Sequence, residues 1–349
     1  MEESKTVIKK QLTPSKIMQV GLGFWASKTL LSAVNMGLFT LLAEEEELAG
    51  QNIKEKLGLH DRGLYDFLDT LVALNFLQRT GLKESSIYTN TEETNLFLDK
   101  NKPSYVGGML ELSNNRLYGF WNTLEEGLKT GIPQNEIKNG GAPIFEDIYA
   151  DQQKLKEFLK AMEGLQSSNF KMLSQKFDFS NYKTHCDIGG SSGHLAVEVV
   201  QNNNHIKSIT FDLPPLEILA KENILANGLS DSISVKSGDF FKDEFPQSDV
   251  ITMGNILHNW GLQDKKTLIK KAYDALPSAG ALIVIENIID DDRRTNAFGL
   301  MMSLQMLMET PEGFDFTAAD FNLWASEIGF SQVSTMNLTG NTSAVIAIK

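Results

Sequence analysis

Two rhythms of apolar and polar positions divide the chain. Up to about residue 175, apolar residues recur every three or four positions. SKTLLSAVNMGLFTLLAE (27–44), NIKEKLGL (52–59) and GLYDFLDTLVALNFL (63–77) all show this spacing, which predicts amphipathic helices. LQRTGLKESSIYTN (77–90) breaks it and reads as a hairpin, with Gly81 to Ser86 as the turn region. Residues 101–175 form a further helical section, interrupted by the Gly- and Asn-rich loop TGIPQNEIKNGGAP (130–143). From about residue 183, short β-type runs alternate with helical stretches. THCDIG, SITFDL, ISVKSGD, DVITMGN and ALIVIEN are separated by HLAVEVVQNN, PPLEILAKENILANG and KKTLIKKAYDAL. Such alternation predicts a parallel sheet with helices on both faces. The ending differs. QVSTMNL and SAVIAIK are joined only by TGNT, too short for a crossover, so the sheet is expected to close with an antiparallel hairpin. A purely parallel dinucleotide-binding fold does not end in this way.

Composition narrows the partners. With 349 residues, 42% of them hydrophobic, the chain is long enough for two globular domains. No apolar run reaches the length of a membrane span, and MEESKTVIKKQL lacks the apolar core of a signal peptide. The single cysteine, Cys186, allows no internal disulfide and no thiolate metal cluster. A cytoplasmic protein is the expectation. Helices followed by a small hairpin suggest a winged helix, an arrangement that often reads DNA. The net charge of −13, the acidic run Glu44–Glu47 and the acidic, apolar helix around Leu64 to Leu77 argue against phosphate contact. Nucleic acid and anionic membranes are therefore not expected as partners. Burial against a second subunit better explains the apolar surplus.

The stretch HCDIGGSSGHLA (185–196) is a strand, a tight turn and a helix start. A phosphate loop needs Lys and then Ser or Thr after its last glycine, whereas His194 and Leu195 follow Gly193. The run Gly189, Gly190, Gly193 also misses the dinucleotide spacing, and Asp187 before it repels phosphate. The geometry suits a ligand with a nucleoside and a cationic end. Asp212 ends the second strand, where it can accept from ribose hydroxyls. Asp239 and Phe240 follow the third, suited to an adenine amino group and to stacking on the base. His258 follows the fourth. Aspartates at strand ends also serve as helix caps. Four such stretches in strand order line the carboxyl edge of one sheet, where open α/β sheets bind ligands.

NMGLFTLLA, FLKAM (158–162), DIGGSSG, FDLP, GDFF, LHNW, VIEN and ASEIGF occur in order along nearly the whole chain. Together they resemble small-molecule O-methyltransferases dependent on S-adenosylmethionine, of the plant caffeate and the bacterial polyketide or hydroxyindole types. The resemblance implies an α/β fold with a seven-stranded Rossmann-like class I methyltransferase sheet ending in the antiparallel hairpin. Ahead of it stands an all-helical, winged-helix-like domain forming a homodimer. The boundaries expected are 1–100 for dimerisation, 101–175 for a helical linker contributing to the acceptor pocket, and 176–349 for catalysis. The donor would be held by Asp187, Gly189, Gly190, Gly193, Asp212, Leu213, Asp239 and Phe240. The family's general base matches His258, and its two flanking acids match Glu286 and Asp315, the latter replacing the Glu of many relatives. Relatives usually read His-Asp-Trp where this chain has Asn259. FLKAM implicates Phe158 and Met162 in the acceptor pocket, and alignment adds Trp121, Met302 and Met306. Helically spaced methionines, here Met301, Met302, Met306 and Met308, more often form plain core.

A neutral histidine suits proton removal from a phenol near pH 7. His60 and His205 lie in polar stretches, while His185 and His194 flank the glycine turn, and their spacing suggests no metal site. Phenolic polyketides, hydroxyindoles, phenazines, carotenoid alcohols and phenylpropanoids all remain open as acceptors. Two rival readings remain as well. One is the same fold with its donor diverted to hydroxylation, decarboxylation or cyclisation. The other is a non-catalytic winged-helix ligand sensor.

Overall fold

A computed structural model describes residues 12–141, 148–149 and 151–349. Ala142 and Pro143, at the end of the expected loop, lie outside the described residues. The chain divides into a unit ending at Asn115 and a second running Arg116–Lys349.

In the first unit the apolar pattern of residues 27–44 is split into two helices, Gly23–Asn35 and Leu38–Glu45. The split falls at Gly37, whose φ of 75° is left-handed and cannot continue a right-handed helix. Helices Gly50–Leu57 and Asp61–Ala73 follow. Val34, Leu38, Phe39, Leu42, Ile53, Leu64, Leu68 and Leu71 from these four helices make one buried core. The expected hairpin is present as β2 (Leu77–Thr80) and β3 (Ile87–Asn90), paired antiparallel. A third strand, β1 (Leu48–Ala49), pairs with β3, so this unit is not all-helical. Two residues are too few to show any periodicity, which is why the sequence gives no sign of β1. Ile17, Val20, Phe24 and Trp25, on the first two helices, are exposed. No single described helix is long and apolar enough to cross a membrane.

The second unit is built on a seven-stranded sheet. Its strands are β4 (Thr184–Ile188), β5 (Lys207–Asp212), β6 (Ile233–Ser237), β7 (Val250–Gly254), β8 (Ala281–Glu286), β9 (Gln332–Asn337) and β10 (Ser343–Ile348). They lie in the order β6-β5-β4-β7-β8-β10-β9. The first five are parallel, and β10 runs antiparallel to both neighbours, giving the terminal hairpin. Every residue of β8 is buried, as a strand covered on both faces requires. Leu268, Ile269, Phe316, Phe321 and Trp324 belong to one core, and Leu195, Val199, Ile224 and Leu173 to another. From β4 the chain first moves outward through β5 and β6, then returns to the other side of β4 with β7 and β8. The crevice at this reversal, at the carboxyl ends of β4, β5 and β7, is where such sheets place a ligand.

Candidate active site

The glycine turn after β4 is shaped first by packing. Gly189 and Gly193 have φ of 68° and 77°. A Cβ on Gly190 would lie 2.2 Å from Thr210 Oγ1, and one on Gly189 2.3 Å from Ile256 Cδ1. The turn thus lies directly against the loop that leads to His258. At the end of β5 the Asp212 carboxylate accepts from the Ser191 N–H at 2.8 Å and the Leu213 N–H at 2.7 Å. Burial pushes Asp212 up to about 6, while these two N–H donors pull the other way. Each of its oxygens retains a lone pair. Asp212, Leu213, Ser191, Thr210, Leu216 and Ser237 line a small recess, and buried Thr210 Oγ1 has no hydrogen-bond partner there. An acceptor with spare capacity and an unpartnered hydroxyl suit a polyhydroxylated ligand such as a nucleoside. Ser191 and Ser237 were not singled out by the sequence, because serines in loops and strand ends carry no periodic signal.

Asp187 lies deeper. Its Oδ1 accepts from the Thr252 hydroxyl at 2.6 Å, and burial pushes the carboxyl up to about 7. Thr252 in turn meets His185 Nε2 at 2.9 Å, while Ser208 Oγ lies 2.8 Å from His185 Nδ1. Both ring nitrogens are satisfied and burial holds the imidazole near 3, so His185 is a neutral core residue. His60 caps a helix by accepting from the Arg62 N–H, and His205 bonds the Phe179 carbonyl. His194 packs beside Phe170. Asp239 accepts from the Phe241 N–H at 2.9 Å and pairs with Lys242 at 2.8 Å, which lowers its pKa. The aromatic ring of Phe240 meets Trp260 edge-on at 5.9 Å.

His258 sits in a short 3-10 turn after β7, buried with Glu286 and Asp315. Its Nδ1 lies 3.6 Å from Glu286 Oε2 and 3.5 Å from Asp315 Oδ1, and its backbone N–H donates to Glu286 Oε1 at 3.3 Å. Glu286 is the last residue of β8, so the parallel register delivers it beside the end of β7. Asp315 is brought in by a close backbone approach. A Cβ on Gly313 would stand 2.7 Å from the His258 carbonyl oxygen and 2.8 Å from that of Asn259. That approach brings the short Asp315 side chain beside the imidazole, yet neither of its carboxylate oxygens has a hydrogen-bond partner among the described residues. Burial alone would pull the imidazole down, but the two carboxylates push it up to about 9. Burial raises Glu286 to about 7. Asn259 Nδ2 donates to the Asn255 carbonyl at 2.9 Å, bracing its own loop rather than facing the imidazole. With Nδ1 turned to the acids, Nε2 is the ring nitrogen that faces away from them.

The remaining candidates fall into two groups. Trp121 Nε1 donates to Gln305 Oε1 at 2.5 Å, which joins Trp121 to the helix Ala297–Glu309 carrying Met302 and Met306. Met306 and Met308 are buried there, and Met301 is exposed. Met308 reads as core: its Sδ would lie 3.3 Å from a Cβ on Gly127. Phe158 and Met162 stand one turn apart on the helix Gln152–Lys176, and Phe158 packs in a cluster with Leu155, Leu159 and Leu216. Leu216 also lines the recess at Asp212, so the cluster against which Phe158 packs adjoins that recess.

Residues 121–331 match the O-methyltransferase domain family, and residues 18–100 match the O-methyltransferase dimerisation domain. The chain is 37% identical to the tetracenomycin polyketide synthesis 8-O-methyl transferase TcmO of Streptomyces glaucescens, over 96% of this chain and 97% of that one. It is 31% identical to the acetylserotonin O-methyltransferase of Bos taurus, over 96% and 97% respectively. The crystal structure of human N-acetylserotonin methyltransferase in complex with SAM superposes with a TM-score of 0.89 at 27% identity, covering 100% of this chain and 99% of that one. Taken with the sheet order, the acidic crevice and the histidine between two acids, these matches show that the chain belongs to the S-adenosylmethionine-dependent O-methyltransferase family.

Proposed function

We propose that the protein methylates a phenolic hydroxyl of a small aromatic metabolite, with His258 as general base and Glu286 and Asp315 as the groups that orient it. What carries this reading is the position of His258. It lies between two buried carboxylates, in the loop against which the glycine turn packs. When bound, S-adenosylmethionine supplies a methyl group already activated by its sulfonium. The chain's task is then alignment and proton removal. Asp212 would hold the ribose, and Asp239 with Phe240 the adenine. Asp239 is already engaged by Lys242 and must share that carboxylate. Asp187 and the turn of Gly189, Gly190 and Gly193 would face the methionine end. Trp121, Met302 and Met306 would line one side of the acceptor pocket, Phe158 and Met162 the other.

We read the cluster as a base flanked by two acids and not as a metal centre, although the ligand atoms of His258, Glu286 and Asp315 lie within 4.8 Å of one another. Lys265, which burial lowers to about 8, lies near enough for its positive charge to act on both carboxylates, which disfavours a second cation. The exposed apolar residues of the first helices suit a homodimer through the N-terminal domain. The acidic charge argues against nucleic acid and membrane partners. Cytoplasmic action completes the proposal.

The deciding experiment incubates the protein with donor and a panel of phenols and hydroxyindoles, and searches by mass spectrometry for products heavier by one CH2. Methylated acceptor is the expected result. Bound donor that no hydroxylated acceptor ever consumes would favour diverted chemistry instead. The donor assignment has its own test. Asp212→Ala should weaken S-adenosylhomocysteine binding by about 1–3 kcal/mol, the worth of hydrogen bonds to a charged group. An unchanged calorimetric affinity would leave Asp212 as a brace for the turn alone.

A further inference from the structure

The helix Leu262–Ala275 carries four lysines. Three have ordinary surface partners: Lys266 pairs with Glu327 at 2.7 Å, Lys270 with Asp274, and Lys271 donates to the carbonyls of Phe240 and Asp243. Lys265 points inward and is completely buried. Its ammonium donates to the Trp260 carbonyl and lies 3.6 Å from the centre of the Phe314 ring, with Phe316 at 5.9 Å. Among the described residues it makes no ion pair. Burying an ammonium against a carbonyl and two aromatic rings is costly unless nearby charge compensates.

Its placement explains that compensation. Trp260 stands two residues after His258, and Phe314 immediately precedes Asp315. Lys265 therefore grips both loops that meet in the His258–Asp315 contact, the same loops that Gly313 allows to pack backbone against backbone. Two carboxylates also face a single imidazole here, which leaves two negative charges in excess when the imidazole is neutral, and the Lys265 ammonium can offset one of them. We infer that Lys265 is a positioning residue for methyl transfer: its side chain clamps the base loop to the acid loop, and its positive charge beside His258 opposes the two carboxylates. This rests on the reading of His258 as the base.

The charges that bear on the cluster are few. Glu286 reaches it from β8, Asp315 from its loop, Lys265 from its helix, and Asp264 acts on Lys265 from the same helix. Around them, Glu309 is taken up by Arg116 and Glu327 by Lys266, Asp320 caps its helix at Thr317, and Glu312 stands beside Gly261. The positive charge of Lys265 pulls the imidazole down and so opposes the two carboxylates. Removing that charge should make His258 harder to deprotonate.

The test compares Lys265→Met and Lys265→Arg with the parent by titrating the His258 ring resonances in donor-free protein. The pH dependence of turnover is then measured with an acceptor that the phenol and hydroxyindole panel identifies. In the Met variant the His258 midpoint should move upward by about one pH unit, which is roughly tenfold less neutral imidazole at neutral pH. The acid limb of turnover should move with it, and S-adenosylhomocysteine affinity should hold. Lys265→Arg should restore most of the shift by keeping the charge. Should the Met variant fail to fold, Lys265→Gln against Lys265→Arg gives the same comparison. A His258 midpoint that is unchanged when the charge is removed overturns the inference, whatever happens to turnover. Failure of the base assignment shows separately, as full turnover by His258→Ala.

Discussion

Replacing His258 with alanine is expected to lower turnover by about 10²–10⁴-fold, the usual worth of a positioned general base. Donor affinity should barely change, because the ring addresses the acceptor. Glu286→Gln should lose less, since it removes charge and orientation but leaves the imidazole. The pH profile gives an independent check. Only neutral imidazole can take a proton, and Glu286 and Asp315 hold His258 up to about 9 against the effect of burial. Turnover of the parent should therefore fall as pH drops through a midpoint above that of free histidine, near 6.5. In His258→Ala this limb should vanish, leaving a low rate that follows the ionisation of the phenol alone. Steady-state kinetics between pH 6 and 10 measures both effects. If the variant keeps full turnover on the true acceptor, alignment alone carries the reaction.

The second large effect concerns stability. Arg116→Met is expected to cost about 3–5 kcal/mol, the penalty for leaving one partner of a buried ion pair uncompensated. The guanidinium bonds Glu309 through Nη1 at 2.6 Å and Nη2 at 2.8 Å, and Glu136 through Nε at 2.9 Å and Nη2 at 2.7 Å. Glu309 is the buried member, with its side chain only 5% exposed, and it also accepts from Asn135 and Gln305 at 3.0 Å. Gln305 is the residue that holds Trp121. Loss of Arg116 should thus loosen the hold of Gln305 on Trp121, a residue of the proposed acceptor pocket, as well as lower the unfolding midpoint. Chemical denaturation tests the stability term. The double variant Arg116→Met with Glu309→Gln should recover much of the loss, because no stranded carboxylate remains. A single variant as stable as the parent would mean that Asn135 and Gln305 suffice for Glu309.

The legible part of the site follows strand ends. Asp187, Asp212 and His258 each sit where an apolar run stops, so a one-dimensional pattern already placed them along one sheet edge. The role of Glu286, also at a strand end, came from resemblance, because a glutamate closing a strand has no distinctive spacing. Asp315 had still less local signal. It approaches only because Gly313 admits the carbonyls of His258 and Asn259. Asn259 shows the opposite case: it directly follows the candidate base in the sequence, yet its side chain is turned toward the Asn255 carbonyl.

Local rhythm determined the alternating strands and helices, the closing hairpin and the candidate ligand edge, because backbone hydrogen bonding and one-sided burial impose periods of two or about 3.6 on any chain that forms them. The tertiary structure alone decided which polar groups lose water together. The inward turn of Lys265, the grip of Arg116 on two glutamates and the convergence of two acids on one imidazole join residues up to 193 positions apart. A lysine or glutamate reads as a solvated surface residue wherever it occurs along the chain. Packing of elements from distant parts of the sequence removes the solvent, and with it gone, charge, distance and burial set the chemistry.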